Sequence, residues 1–137
     1  MPPVLESLIA GLPVFMAHSA ATLGVLFIGT LIYVKLTPHD EMRLIRDNNT
    51  AAALSLGGAI VGIAVPLAVS LTASVSVLDI LVWGGLAVVL QLVAFRIVDL
   101  ALQDISPRIE AGEMAPAILL VSVKLGTALV NAAALAG

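Results

Sequence analysis

The chain has 137 residues, of which 61% are hydrophobic, 11% charged and 4% aromatic, with a net charge of −3 and no cysteine. Ordinary soluble domains are roughly 45–50% apolar and about 25% charged, so this chain lacks the polar side chains to cover a folded surface of its size, and a mean hydropathy of +1.15 points to lipid as its surroundings. Six scattered Lys and Arg residues without a basic stripe exclude a nucleic-acid partner, and the lack of cysteine excludes disulfide scaffolds, thiolate metal sites and cysteine nucleophiles.

A spanning helix needs about 20 mainly apolar residues, and four intervals between charged residues are long enough. The first runs from about Pro13 to Val34 and ends at Lys35 and the breaker Thr37-Pro38. Ahead of it, Met1 to Pro13 has no Lys or Arg and carries Glu6, which does not fit a cleaved signal sequence; Val4 to Ile9 is expected to lie at the interface. The connection His39 to Asn49 reads as a short helix with Asp40, Glu41, Arg43, Arg46 and Asp47 set around Met42, Leu44 and Ile45. It is the most water-compatible stretch of the chain, and Asp40 and Arg43 are spaced to pair on one face. Its expected roles are an interfacial helix with snorkelling arginines or a contact for a cytoplasmic or membrane protein partner, through Thr37, Pro38, Glu41, Arg43, Arg46, Asn48 and Asn49.

The second span is expected from about Thr50, behind the cap-prone Asp47-Asn48-Asn49, to about Ser74, with Pro66 inside it. The third runs from about Leu78 to Val98 and carries Trp83, Gln91 and Arg96; the fourth runs from about Met114 to the end and carries Lys124 and Asn131. None has the wide polar face of a surface helix in a soluble bundle, so the fold class is an all-α membrane protein, a single membrane domain with cytoplasmic connections at about 36–49 and 99–113. Lys35, Arg43 and Arg46 flank the first connection and Arg96 and Arg108 the third, whereas the second, near Ser74 to Val77, has no positive residue. The positive-inside rule therefore puts connections one and three in the cytoplasm and both termini outside.

Sliding the chain by 64 residues lays Gly62 on Gly126, Ala51 on Ala115, Ala53 on Ala117, Gly58 on Ser122 and Ala64 on Ala128. This suggests two tandem helical hairpins of the same topology, about 13–74 and 77–137. Matching Thr37-Pro38 with Ser106-Pro107 as well requires compensating insertions in the turns. Without a hydrophobic force between helices in lipid, close backbone approach must hold them together. Gly58 with Gly62, and Ser122 with Gly126, are the expected packing seam between spans two and four, and Pro66 is the expected kink.

Lys124 is the residue most out of place, near the middle of the fourth span, where a charge is costly and marks a functional candidate. No Asp or Glu is expected at its depth, and Gln91 is the nearest polar group in another span. Three outcomes are open: its stem snorkels, its amino group is neutral, or it faces a wet or intersubunit space. A second polar layer of His18, Trp83 and Asn131 is expected toward the outer face. His18 and His39 fall on opposite sides of the bilayer and cannot form one metal site. No Ser-His-Asp set, carboxylate pair or phosphate-cradling glycine loop is present, so neither catalysis nor a cofactor is expected.

The stretch Tyr33 to Leu67, YVKLTPHDEMRLIRDNNTAAALSLGGAIVGIAVPL, and the segment Trp83 to Phe95, WGGLAVVLQLVAF, resemble the signature of the YjfL-like bacterial inner-membrane proteins, a domain-of-unknown-function family. Thr37-Pro38, Glu41, Asn48 to Ala52, Gly58, Gly62, Pro66, Trp83 to Gly85 and Gln91 carry the likeness; Lys124 is outside it. The resemblance implies an inner-membrane location, four spans in duplicated pairs, and company with membrane-stress proteins of the phage-shock type. The leading expectation is a non-enzymatic homo-oligomeric membrane subunit or scaffold in envelope maintenance. The alternative is a small multimeric channel or transporter whose path is lined by Lys124, Gln91, Asn131 and His18.

Overall fold

The computed structural model describes residues 2–73 and 76–136. Among these residues six helices follow in order: α1 (Pro3–Leu36), α2 (Glu41–Arg46), α3 (Thr50–Ala73), α4 (Val77–Leu102), α5 (Ile105–Glu110) and α6 (Met114–Ala136). Four of them, α1, α3, α4 and α6, are long and apolar enough to cross a membrane. The chain is thus an all-α protein with the expected four spans; Ser74 and Gly137, at the ends of the two expected repeats, lie outside the described residues, as do Met1 and Val75.

Two boundaries differ from expectation. α1 begins near the N-terminus and runs unbroken through Pro13, so Val4 to Ile9 form its first turns rather than a separate interfacial piece. Pro3 in the first turn suits a helix start, where its missing N–H would have no intrahelical partner. At 1.5 Å per residue α1 is about 50 Å long, well beyond a hydrocarbon core of about 30 Å. α4 in turn continues past Val98 to Leu102 and takes up Asp99, which leaves only Gln103 and Asp104 before α5.

α3 and α6 are parallel, form the most extensive helix pair and make up the centre of the bundle; α4 runs the opposite way and packs on both. α1 packs on α3 and α4, and only through its second half: Pro2 to Ala17 are all exposed, while Gly29 and Tyr33 are buried. The short helices α2 and α5 close one end. α2 lies on α3, and α5 lies against α3, α4 and α6. Asn49 ties these two connections together, its side-chain amide donating to the carbonyls of Ile109 (2.9 Å) and Glu110 (3.2 Å).

The turns that start α3 and α6 are built alike. In the first, Asn48 at φ 65° donates to the Ile45 carbonyl and Asn49 to that of Leu44; in the second, Gly112 at φ 79° donates to Ile109 and Glu113 to Arg108. Both are Schellman closures, which require a left-handed residue that Gly or Asn adopts most readily. The starts of α2 and α5 are 64 residues apart, as are those of α3 and α6. The two hydroxyl-proline pairs differ in place: Thr37-Pro38 precedes α2, whereas Ser106-Pro107 lies inside α5.

Apolar packing is divided between the two ends. Leu44, Phe95, Val98, Ile105, Ile109 and Leu120 fill the closed end, and Ile63, Leu67, Ile80, Ala87 and Val88 fill the far half. Between them a smaller apolar cluster of Tyr33, Leu56 and Ala59 adjoins a layer of buried polar side chains.

Candidate functional site: a buried polar chain

The depth of Lys124 follows from its place in α6. It is ten residues past Met114, about 15 Å along the helix, whereas Ser55 is five residues past Thr50 on the parallel α3, about 7.5 Å along. Side chains on a helix lean toward its N-terminus, so the lysine stem points toward the closed end and spans that difference. Its amino group donates to the Ser55 carbonyl at 2.8 Å and to the Ser55 hydroxyl at 3.1 Å. It also stands 4.6 Å from the centre of the Tyr33 ring on α1, within reach of a cation–π interaction. Lys124 is 0% exposed.

The expectation that no acid reaches Lys124 is corrected by α2. Its first residue, Glu41, is fully buried and faces Lys124 across the Ser55 hydroxyl. The Ser55 hydroxyl lies between them, accepting from Lys124 and donating to Glu41 Oε1 at 3.5 Å. The same Oε1 is 2.7 Å from His39 Nε2, and His39 Nδ1 is 2.9 Å from the Ser106 hydroxyl on α5. The His39 ring is tilted against Phe95 of α4, with ring centres 5.9 Å apart. A continuous chain of polar contacts therefore runs from Ser106 near the closed end through His39, Glu41 and Ser55 to Lys124 in the interior.

The first connection is for this reason less open to water than its charge content suggests. Thr37, His39, Glu41 and Leu44 are buried, while Pro38, Arg43, Arg46 and Asn48 are exposed. The Asp40 carboxylate does not serve a pair with the Arg43 guanidinium; it caps α2 by accepting from the Arg43 backbone N–H at 3.2 Å. Asn49 caps α3, its side-chain oxygen accepting from Ala52 N–H at 3.0 Å.

Of the four intramembrane polar residues singled out in the sequence, the structure brings two together. Gln91 of α4 is buried and donates through Nε2 to the Lys124 carbonyl at 3.1 Å. His18 bonds only within α1, to the Val14 carbonyl, and Asn131 lies on an outer groove of α6 beside Leu90 and Val130. Tyr33, His39, Ser55 and Ser106 were not singled out for this site. Ser55 carried the only readable signal, as a hydroxyl inside an apolar span at the level a lysine stem from α6 reaches.

The packing residues also separate. Gly58 faces α6, where an added Cβ would stand 2.9 Å from a Val121 methyl, and Gly62 faces α4, where it would meet the Gln91 amide at 2.5 Å. Pro66 is buried. Ser122 and Gly126 are exposed instead: the Ser122 hydroxyl returns to the Ile118 carbonyl, and an added Cβ at Gly126 would meet open space. These two residues therefore do not form the second half of the seam; α6 offers Val121 to Gly58, one residue before Ser122. Among the described residues no group of three or more His, Asp or Glu could hold a metal ion.

Comparison with known proteins agrees with this architecture. A family model, Domain of Unknown Function (DUF350), matches residues 7–135. The "UPF0719 inner membrane protein YjfL" of Escherichia coli strain K12 and that of Escherichia coli O157:H7 are each 35% identical over 130 residues, covering 95% of this chain and 96% of theirs. No solved structure is significantly similar. With four spans, a helical cap at one end and a family match over nearly its whole length, the chain is a multi-pass inner-membrane protein that belongs to the DUF350 family.

Proposed function

We propose that the protein is a non-enzymatic subunit or scaffold of the bacterial inner membrane that works as a homo-oligomer in envelope maintenance. The observation that carries this reading is the contrast between its interior and α1. Lys124, Glu41, His39 and Gln91 are enclosed by helices and bonded to one another or to backbone, so they tie the bundle together. By contrast, the first half of α1, with Val4, Leu8, Ile9, Leu12 and Phe15 exposed, is covered by no other helix among the described residues. An apolar helix longer than the bilayer core, free on all sides, suits contact with a second copy. The connection end carries Lys35, Arg43, Arg46 and Arg108 and takes the cytoplasmic side on the positive-inside rule, with both termini periplasmic. The exposed Arg43, Arg46 and Asn48 then form the face open to a cytoplasmic or membrane partner. The matching 64-residue spacing of α2 with α5 and α3 with α6 supports an origin by tandem duplication.

The test is the subunit number in nanodiscs, read by mass photometry, for the full chain and for a variant with Leu8→Ser and Leu12→Ser on the uncovered half of α1. A defined oligomer that the variant weakens supports the reading; a monomer across the accessible range of concentration contradicts it.

A second reading, a small multimeric channel or transporter, is favoured by one observation: the chain from Ser106 to Lys124 spans from the closed end into the interior, as the inner half of an ion path would. Ion flux that requires Lys124 distinguishes it from a tie between helices.

A further inference from the structure

We propose that the groove between α1 and α4 binds an acyl chain of an anionic phospholipid from the leaflet at the connection end, with Lys35 and Arg96 holding its phosphate. The groove has a volume of about 370 Å³ and an apolar wall, with Val25, Gly29, Ile32 and Leu36 on α1 facing Gly85 and Leu92 on α4. That volume lies within the range of sites that take small ligands. From Val25 to Leu36 the groove follows about 16 Å of helix, about half of the hydrocarbon core and so the depth of one leaflet. Gly85 keeps its floor low, since an added Cβ there would meet nothing within 4 Å.

The cations that follow the groove's lining along the two helices select the occupant. Arg96 is one turn beyond Leu92 on the same face of α4, and its side chain is 68% exposed. It uses one guanidinium nitrogen on Asp99, at 3.0 Å, and keeps further donors for an anion. Lys35 is next to Leu36 at the end of α1, exposed, and has no ion pair among the described residues. An apolar helix from a second copy would fill the groove and leave Lys35 without an anion. A phospholipid supplies both the chain and the anion.

Native mass spectrometry of the full chain released from nanodiscs of equal parts phosphatidylglycerol and phosphatidylethanolamine tests this. The wild-type chain is expected to retain phosphatidylglycerol preferentially, with a bias of roughly fivefold per cation, and Lys35→Gln with Arg96→Gln is expected to abolish the bias. Gly85→Leu, which projects into open space, is expected to lower retention of both lipids while circular dichroism and melting stay unchanged. The proposal is overturned if the wild-type chain shows no bias, if the double variant keeps it, or if Gly85→Leu leaves lipid occupancy intact. A change in subunit number from Gly85→Leu without lipid loss assigns the groove to a second copy and likewise overturns it.

Discussion

The amino group of Lys124 binds the carbonyl and the hydroxyl of Ser55 at 2.8 and 3.1 Å, joining the two central helices α6 and α3 by a side chain that reaches about a turn and a half back toward the closed end. The same serine hydroxyl passes the contact to Glu41, so a basic residue deep in a span and an acidic residue in a short connection meet through one small side chain.

If Lys124 and Glu41 compensate each other, removing one alone costs more than removing both. Lys124→Met is expected to destabilise the bundle by about 1–3 kcal/mol, because it removes both bonds to Ser55 and leaves Glu41 with His39 as its one charged neighbour. Adding Glu41→Gln is expected to restore a substantial part. Reversible unfolding in bicelles, analysed as a double-mutant cycle, measures the coupling; additive losses would separate the two residues.

Gly62 and Gln91 are matched sterically. Gly62→Ala presses a methyl group onto the Gln91 amide and displaces it from the Lys124 carbonyl, at an expected cost of about 1–3 kcal/mol. In a Gln91→Ala background the same change is expected to be nearly neutral, as melting temperatures in detergent will show.

At the two Schellman turns the left-handed residues respond differently. Gly112→Ala is expected to cost about 1–2 kcal/mol purely through backbone conformation, since φ is 79° and nothing stands near an added Cβ. Asn48→Gly, at φ 65°, is expected to be neutral or slightly stabilising. Thermal unfolding of the two variants side by side checks the contrast.

Asn49 both caps α3 and ties the two connections. Asn49→Ser retains a capping oxygen and loses the amide donor to Ile109 and Glu110, whereas Asn49→Ala loses both. The alanine variant is expected to be the less stable by about 1 kcal/mol, the usual worth of a cap. Faster amide exchange at Ala52 only in the alanine variant would identify the capping part.

The four spans were legible because charge is so sparse in this chain that each apolar interval declares itself, and the short helix α2 was legible from its charged residues set around Met42, Leu44 and Ile45. The polar chain was legible only at Lys124 and Gln91. Glu41 and His39 looked water-exposed because a connection rich in Asp and Arg reads as solvated, and hydropathy along the chain does not reveal that α2 turns one face inward onto α3. Ser122 and Gly126 misled for a related reason. Small residues at the right spacing permit close packing, but which face of α6 meets α3 depends on a rotation that the spacing of small residues does not fix, and α6 presents Val121 and Lys124 instead.

The central claim is that the buried charges tie helices together and do not line a path. Proton and potassium flux into proteoliposomes containing the full chain under an imposed potential tests it most directly. The account predicts flux equal to that of empty vesicles for the wild-type chain and for Lys124→Met alike; a protein-dependent flux that Lys124→Met abolishes would contradict it.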